Sequence, residues 1–189
     1  MVFTDSEKFA LHAINIMLQT IGVQPLRDEV DLENSIEGEQ AAITLEEVKK
    51  ATLSEEWDFN RDENYSMKPD STGNIVVPFN VLDIYGSTDS SVIARDWRLY
   101  SKTEQTHEFE DAVNCNVVWD MEFNSLTHPI RHYITIRAAR IFSARVVGDE
   151  ESFKFTQIDE DKAYSAALRS DGKSASYNHF TRNTNRANR

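Results

Sequence analysis

The chain has 189 residues, with 20 Lys and Arg against 32 Asp and Glu, giving a formal net charge of -12 and a pI near 4.8. That balance argues against wrapping nucleic acid by phosphate neutralisation, which needs a basic surface, and 40% hydrophobic with 10% aromatic residues excludes disorder over most of the length. A single cysteine, Cys115, excludes an intramolecular disulfide and a four-cysteine zinc site. The opening MVFTDSEKF has neither the basic region nor the apolar run of a signal peptide, and no stretch approaches the roughly 18 apolar residues of a membrane span. The expectation is a soluble protein that folds in a reducing cytoplasm, as one domain or two small ones.

Thr4 and Glu7 have the spacing of a capping box, and behind them Ala10, Ala13, Ile14, Met17, Leu18 and Ile21 recur at helical period up to Gly22. His12, Asn15 and Gln19 fall on the opposite, wet face. After Pro25 a second helix is predicted over 37–54, with Ala41, Leu45 and Val48 inward. From Trp57 the period changes. Residues 75–77 and 81–85 are β-rich, separated by turn signals at Gly73-Asn74 and Gly86-Ser87. Val92 to Tyr100 alternates as one strand with Ile93, Trp97 and Leu99 on a common face. The cleanest strand is the last, in which Val113, Cys115, Val117, Trp119 and Met121 share a side. Cys115 among such neighbours reads as a small hydrophobe, not a nucleophile. Pro129 then opens a helix whose apolar face comprises Ile130, Tyr133, Ile134, Ala138, Ile141 and Phe142 and which ends near Gly148. Arg137 projects inside that apolar arc and so requires a carboxylate or a neighbouring subunit as partner. A final helix is predicted over 155–168. The stretch from Ser170 to Arg189 shows no periodicity.

Charge is unevenly distributed. Residues 169–189 hold five bases (Arg169, Lys173, Arg182, Arg186, Arg189) and one acid (Asp171), or +4; the other fifteen bases and thirty-one acids leave -16 on the rest. An acidic body with a basic, Ser/Asn-rich tail suits an interaction arm or a solvated terminus. The search for chemistry is thin: there is no Gly-rich phosphate loop, no Gly-x-Ser-x-Gly elbow and no His-Glu-x-x-His. His128 and His132 have the i,i+4 spacing of a helical metal site, but no third ligand is suggested. The clusters Asp149-Glu150-Glu151 and Asp159-Glu160-Asp161 read as solvated faces, since nothing in linear spacing places two carboxylates across a cleft. Trp57, Trp97 and Trp119 could stack on sugars, yet two of them occupy strand positions typical of a core. No catalytic residue, cofactor or metal is assigned.

Four phrases in order resemble the tail tubular protein A family, ring-forming adaptors of short-tailed bacteriophages. They are residues 13–22 (AINIMLQTIG); Trp57-Asp58-Phe59-Asn60 with Pro69-Asp70 and Ile75-Val76-Val77-Pro78; Arg95 with Leu99-Tyr100; and Tyr133-Ile134-Thr135, Arg137-Ala138-Ala139-Arg140 and Phe142. The likeness extends over residues 9–168. Glu56 stands where the family usually has Gly, and Thr127-His128 separate Leu126 from Pro129.

The chain reads as an α+β fold, a bundle of about four helices with an inserted, mostly antiparallel β domain and an extended C-terminal tail, and a helical bundle carrying a β-rich domain is also what the resemblance implies. The expected division is 1–56 with 124–168 as the helical bundle, 57–123 as the β-rich domain and 169–189 as a basic arm. The implied function is a structural virion protein, not an enzyme: a dodecameric ring in the portal-proximal tail that joins the portal protein to a nozzle protein of the tail tubular protein B type. It would be made in the host cytoplasm, carry no cofactor, touch no membrane and surround passing double-stranded DNA without reading its sequence. An acidic wall suits such a channel by repelling phosphates. Tyr177, Phe180, Arg182, Arg186 and Arg189 are the candidate portal-docking residues; Arg137 and Arg140 are candidates for a core ion pair or subunit interface. The alternative is a tail-associated polysaccharide-degrading hydrolase, which needs two carboxylates in a cleft beside an exposed tryptophan.

Overall fold

The computed structural model describes residues 7–148 and 155–186, with side chains described for 9–148 and 155–172. The described residues form two compact units, one from Met1–Thr52 with Glu122–Arg189, the other from Leu53–Met121. Five helices and a five-stranded antiparallel sheet make this an α+β protein.

The first unit is helical. Helix α1 (Glu7–Thr20) buries Ala13, Ile14, Met17 and Leu18 and stops before Gly22, whose φ of 76° is the left-handed conformation that glycine adopts without steric cost. Thr4, the proposed cap, lies outside the described residues. A one-turn helix, α2 (Glu29–Glu33), had no apolar face to announce it; Asp28 caps it by accepting from the Asp31 amide. Helix α3 (Ile36–Leu53) buries Ala41, Leu45 and Val48 as expected, and α4 (His128–Val147) has Pro in its first turn and ends at Gly148 in the left-handed conformation. Asn15 departs from its assignment to a wet face. Its amide donates to the Leu26 carbonyl at 2.9 Å and its oxygen accepts the Leu26 amide at 2.7 Å, pinning the loop after Pro25 to α1.

Helix α5 (Gln157–Arg186) corrects the expectation of an extended tail after residue 168. Periodicity detects a buried face, not helicity itself. Once a first turn exists, each further residue adds a backbone hydrogen bond at little cost, and 169–186 contains no proline and one glycine, Gly172, with open space around it. What was read as an arm is the continuation of a helix.

The second unit is the sheet, in the order β1-β5-β2-β3-β4. Strands β2 (Val81–Gly86) and β5 (Val113–Trp119) pair antiparallel at its centre, and Cys115, Val117 and Ile84 lie in a core with Met67, Ile75, Val77, Val92 and Leu99. Burial pushes the Cys115 thiol up to about 11, so it is a packing residue held protonated. Strand β1 (Arg61–Met67) escapes the sequence pattern because its residues 62–66 are all exposed; it is an edge strand, bulged between Asp62 and Tyr65 where Asn64 takes φ 57°. Residues 75–77 form no regular strand. They run along the outer side of β4 (Arg98–Ser101), with the Val77 amide donating to the Trp97 carbonyl and the Leu99 amide to the Ile75 carbonyl.

The single strand expected over 92–100 is instead a hairpin. Strand β3 (Val92–Arg95) turns back through Asp96 and Trp97 into β4, with Arg95 opposite Arg98. Both turn residues have positive φ, 52° and 58°, the signature of a two-residue hairpin turn whose twist matches the strands. The reversal ejects Trp97, expected in the core, to 66% exposure. A bulky non-glycine residue in this conformation costs roughly 1–2 kcal/mol; Asp96 suits the first turn position, but Trp97 occupies the second, where glycine is preferred. Replacing Asp96-Trp97 by Asn-Gly is therefore expected to stabilise the chain by about 1 kcal/mol, read as a higher denaturant midpoint at unchanged slope; a lower midpoint would contradict the turn assignment.

Candidate functional site

The helical unit places the arginines singled out by the sequence around one buried acid. Glu160 on α5 is 6% exposed. Arg140 Nε donates to its Oε2 at 2.5 Å, and Arg137 Nε lies 3.8 Å from its Oε1. Arg137 also donates to the Tyr133 hydroxyl at 3.0 Å and the Thr52 Oγ1 at 3.4 Å, so α3, α4 and α5 meet at this guanidinium. Tyr133 in turn packs on Tyr164, ring centroids 5.1 Å apart. The reading of Asp159-Glu160-Asp161 as a solvated face fails at its middle member: Asp159 and Asp161 bond locally to Thr156 and Gln157, while Glu160 turns inward to the arginines. Helical geometry explains the split, since consecutive residues point about 100° apart.

These contacts fix the register of an antiparallel helix pair. Arg140 meets residue 160 and Tyr133 meets residue 164, so the first residue of α4, His128, lies opposite about residue 170 at 1.5 Å of rise per residue. The backbone of α5 continues to Arg186, a further run of roughly 24 Å. Tyr177, Phe180, Arg182 and Arg186 all belong to this continuation; their side chains, and Arg189 entirely, lie outside the described residues. The structure thus gathers four of the five docking candidates on one helical extension, and places Arg137 and Arg140 elsewhere, at the α4–α5 contact.

The remaining chemical candidates do not converge. The His128 and His132 rings stack 6.1 Å apart, and burial with the neighbouring His128 holds His132 below its ordinary value. Among the described residues no three His, Cys, Asp or Glu side chains are grouped to hold a metal. Asp149-Glu150-Glu151 lies outside the described residues. In the sheet unit an open groove of about 720 Å³ is bordered by Glu104, Glu108, Glu110 and Asp111, all exposed. A second groove, about 410 Å³, opens where β2 and β3 part company after their contact at Tyr85 and Ile93; Val81, Ile84, Ala94 and Trp97 line it. Trp57 is buried, and Trp119 is half-buried with its indole N–H donating to Asp62 at 2.8 Å. Sequence reasoning missed the exposure of both Trp97 and Phe79, the latter 91% exposed; Pro78 and Asn80 on either side of Phe79 are the local signals of a turn there.

Glu160 is the acid on which both arginines converge. Glu160→Ala is expected to cost about 2–3 kcal/mol, because it leaves two partly buried guanidinium groups facing each other without an anion. Denaturant unfolding measures this, and a loss below about 0.5 kcal/mol would mean that the pair behaves as a surface salt bridge.

The comparisons with known proteins agree with one another. Residues 11–177 match the model of the family described as "Tail tubular protein". The chain is also similar to tail tubular protein A of Klebsiella phage KP34, with 29% identity over 149 residues, 78% of each chain. The family match begins within α1, runs into α5 and takes in both structural units. The chain belongs to the tail tubular protein family, structural components of bacteriophage tails.

Proposed function

We propose that this protein is a ring-forming adaptor between the portal and the tail nozzle, with twelve copies enclosing part of the channel through which double-stranded DNA leaves the particle. The observation that carries the reading is the separation of charge along a family member: -16 on residues 1–168 and +4 on 169–189, with the basic part continuing a helix that outruns its partner α4. A ring of identical subunits is built from heterologous contacts that close on themselves. An acidic inner wall repels phosphates, so DNA slides without sticking and without its sequence being read. No helix among the described residues is long and apolar enough to cross a membrane, which suits a role within the tail.

In this reading the α5 extension docks on the portal, with Tyr177 and Phe180 as apolar anchors and Arg182, Arg186 and Arg189 supplying charge. A preformed helix loses less conformational freedom on docking than a disordered tail does. Arg137 and Arg140, each paired with Glu160, hold α5 in register, so that the extension leaves the bundle in a defined direction. Nothing in the chemistry of the site calls for a cofactor, and the proposed work is mechanical: connecting two unlike neighbours and lining a conduit.

Deleting residues 170–189 is expected to reduce binding to the isolated portal at least tenfold while leaving the thermal unfolding of the remaining chain nearly unchanged. Undiminished portal binding by the truncated chain would refute the docking role of the extension.

A further inference from the structure

An acidic subunit that closes a ring with its own copies needs one face that offsets its like-charge repulsion, and the β3–β4 hairpin offers such a face. Val76, Phe79 and Trp97 are 61%, 91% and 66% exposed. The pairing of Val76 with Arg98 and the bond from the Val77 amide to the Trp97 carbonyl put Val76 and Trp97 on adjoining segments, with Phe79 two residues beyond Val77; Trp97 itself borders the groove that Val77 and Val81 also line. Together they present on the order of 400 Å² of apolar surface, at the scale of a functional patch and about half of what one partner contributes to a standard interface. The surroundings are basic within an otherwise acidic unit: Arg95, Arg98 and Lys102 accompany the single acid Asp96 over residues 93–102. Arg95 lies over the Tyr100 ring, 4.0 Å from its centroid. The turn that presents Trp97 is held in a conformation costly for that residue.

The complementary face is found on the same chain. Residues 28–47 carry eight acids and no base. Within that run Val30, Ile36 and Ile43 are exposed at 63%, 71% and 60%, with Ile36 and Ile43 seven residues apart on one side of α3. We infer that the hairpin face of one copy seats on the α2–α3 face of the next, apolar residues against apolar residues and Arg95 and Lys102 against the carboxylates. Two different faces meeting in this way form a heterologous contact, the kind that propagates around a ring instead of stopping at a dimer. The inference rests on the proposed ring and names the surfaces that close it.

Paired cysteines test it, because the native Cys115 is fully buried and silent to reagents. A full-length chain carrying Phe79→Cys and Ile43→Cys is assembled into phage particles and treated with a bifunctional maleimide of about 10 Å span, with Trp97→Cys and Ile36→Cys as a second pair. All four positions are exposed, so the fold tolerates the substitutions. The expected result is a ladder of covalent multimers beyond the dimer, present only when both cysteines of a pair are in the same chain. Dimers from Phe79→Cys alone would mean that the hairpin face meets itself, and particles that contain both doubly substituted chains without any ladder would show that these faces do not meet; either result overturns the inference. The ring reading fails separately, if unmodified chains bound to the portal never reach a mass above that of isolated copies.

Discussion

The placement of Glu160 between Arg137 and Arg140 is the contact on which the functional reading depends. A carboxylate this buried is tolerated only because two guanidinium groups face it, and their positions on α4 allow one antiparallel register of α5. That register decides that α5 passes the start of α4 near its midpoint and leaves the rest of its length beyond it. Ala163 and Ala167, buried on the same side of α5, add little apolar area of their own. Orientation here comes from charge and hydrogen bonding more than from hydrophobic burial.

The sheet unit solves a different problem. Its outer β1 edge is charged and bulged, the usual protection against unwanted strand pairing, and the outer side of β4 is covered by residues 75–77 of the same unit. With both edges managed, the exposed features left are side chains: an indole and a phenyl ring at the tip, with arginines beside them. A strained hairpin turn that displays a tryptophan is a stability cost that proteins retain at surfaces with a task.

Much of this was legible in the sequence, and the misses share physical causes. Helices α1, α3 and α4 each bury one face, and glycine or proline marks an end of α1 and α4, so period located all three and punctuation two of them. Strand β5 alternates cleanly and was placed for the same reason. Strand β1 was not, because an edge strand with no buried residues between 62 and 66 has no pattern to detect. Trp97 was assigned to the core on the premise of an unbroken strand; Asp96 fits the first place of a common hairpin turn, but Trp97 stands where the glycine that would announce it belongs. The α5 extension lacked periodicity and was taken as extended; its backbone instead continues the helix begun at Gln157, with no proline to end it. For the site, Arg137 stood out because a charge inside an apolar arc needs a partner, but only the folded chain identified Glu160, twenty-three residues away and inside a cluster that reads as solvated. The resemblance of four short phrases to tail tubular proteins was carried by residues of both units, which is why it extended to the whole architecture.

In the proposed reading, the helical extension, the acidic body and the two exposed faces are the parts of a subunit made for assembly. The most direct measurement is an electron cryomicroscopy reconstruction of the tail of the intact particle, at a resolution that traces α4 and α5. A closed ring of this chain around the axial channel, with the α5 extensions seated on the portal, is the predicted result. Copies placed off the tail axis, or a channel enclosed by other proteins with this chain in isolated positions, would contradict it.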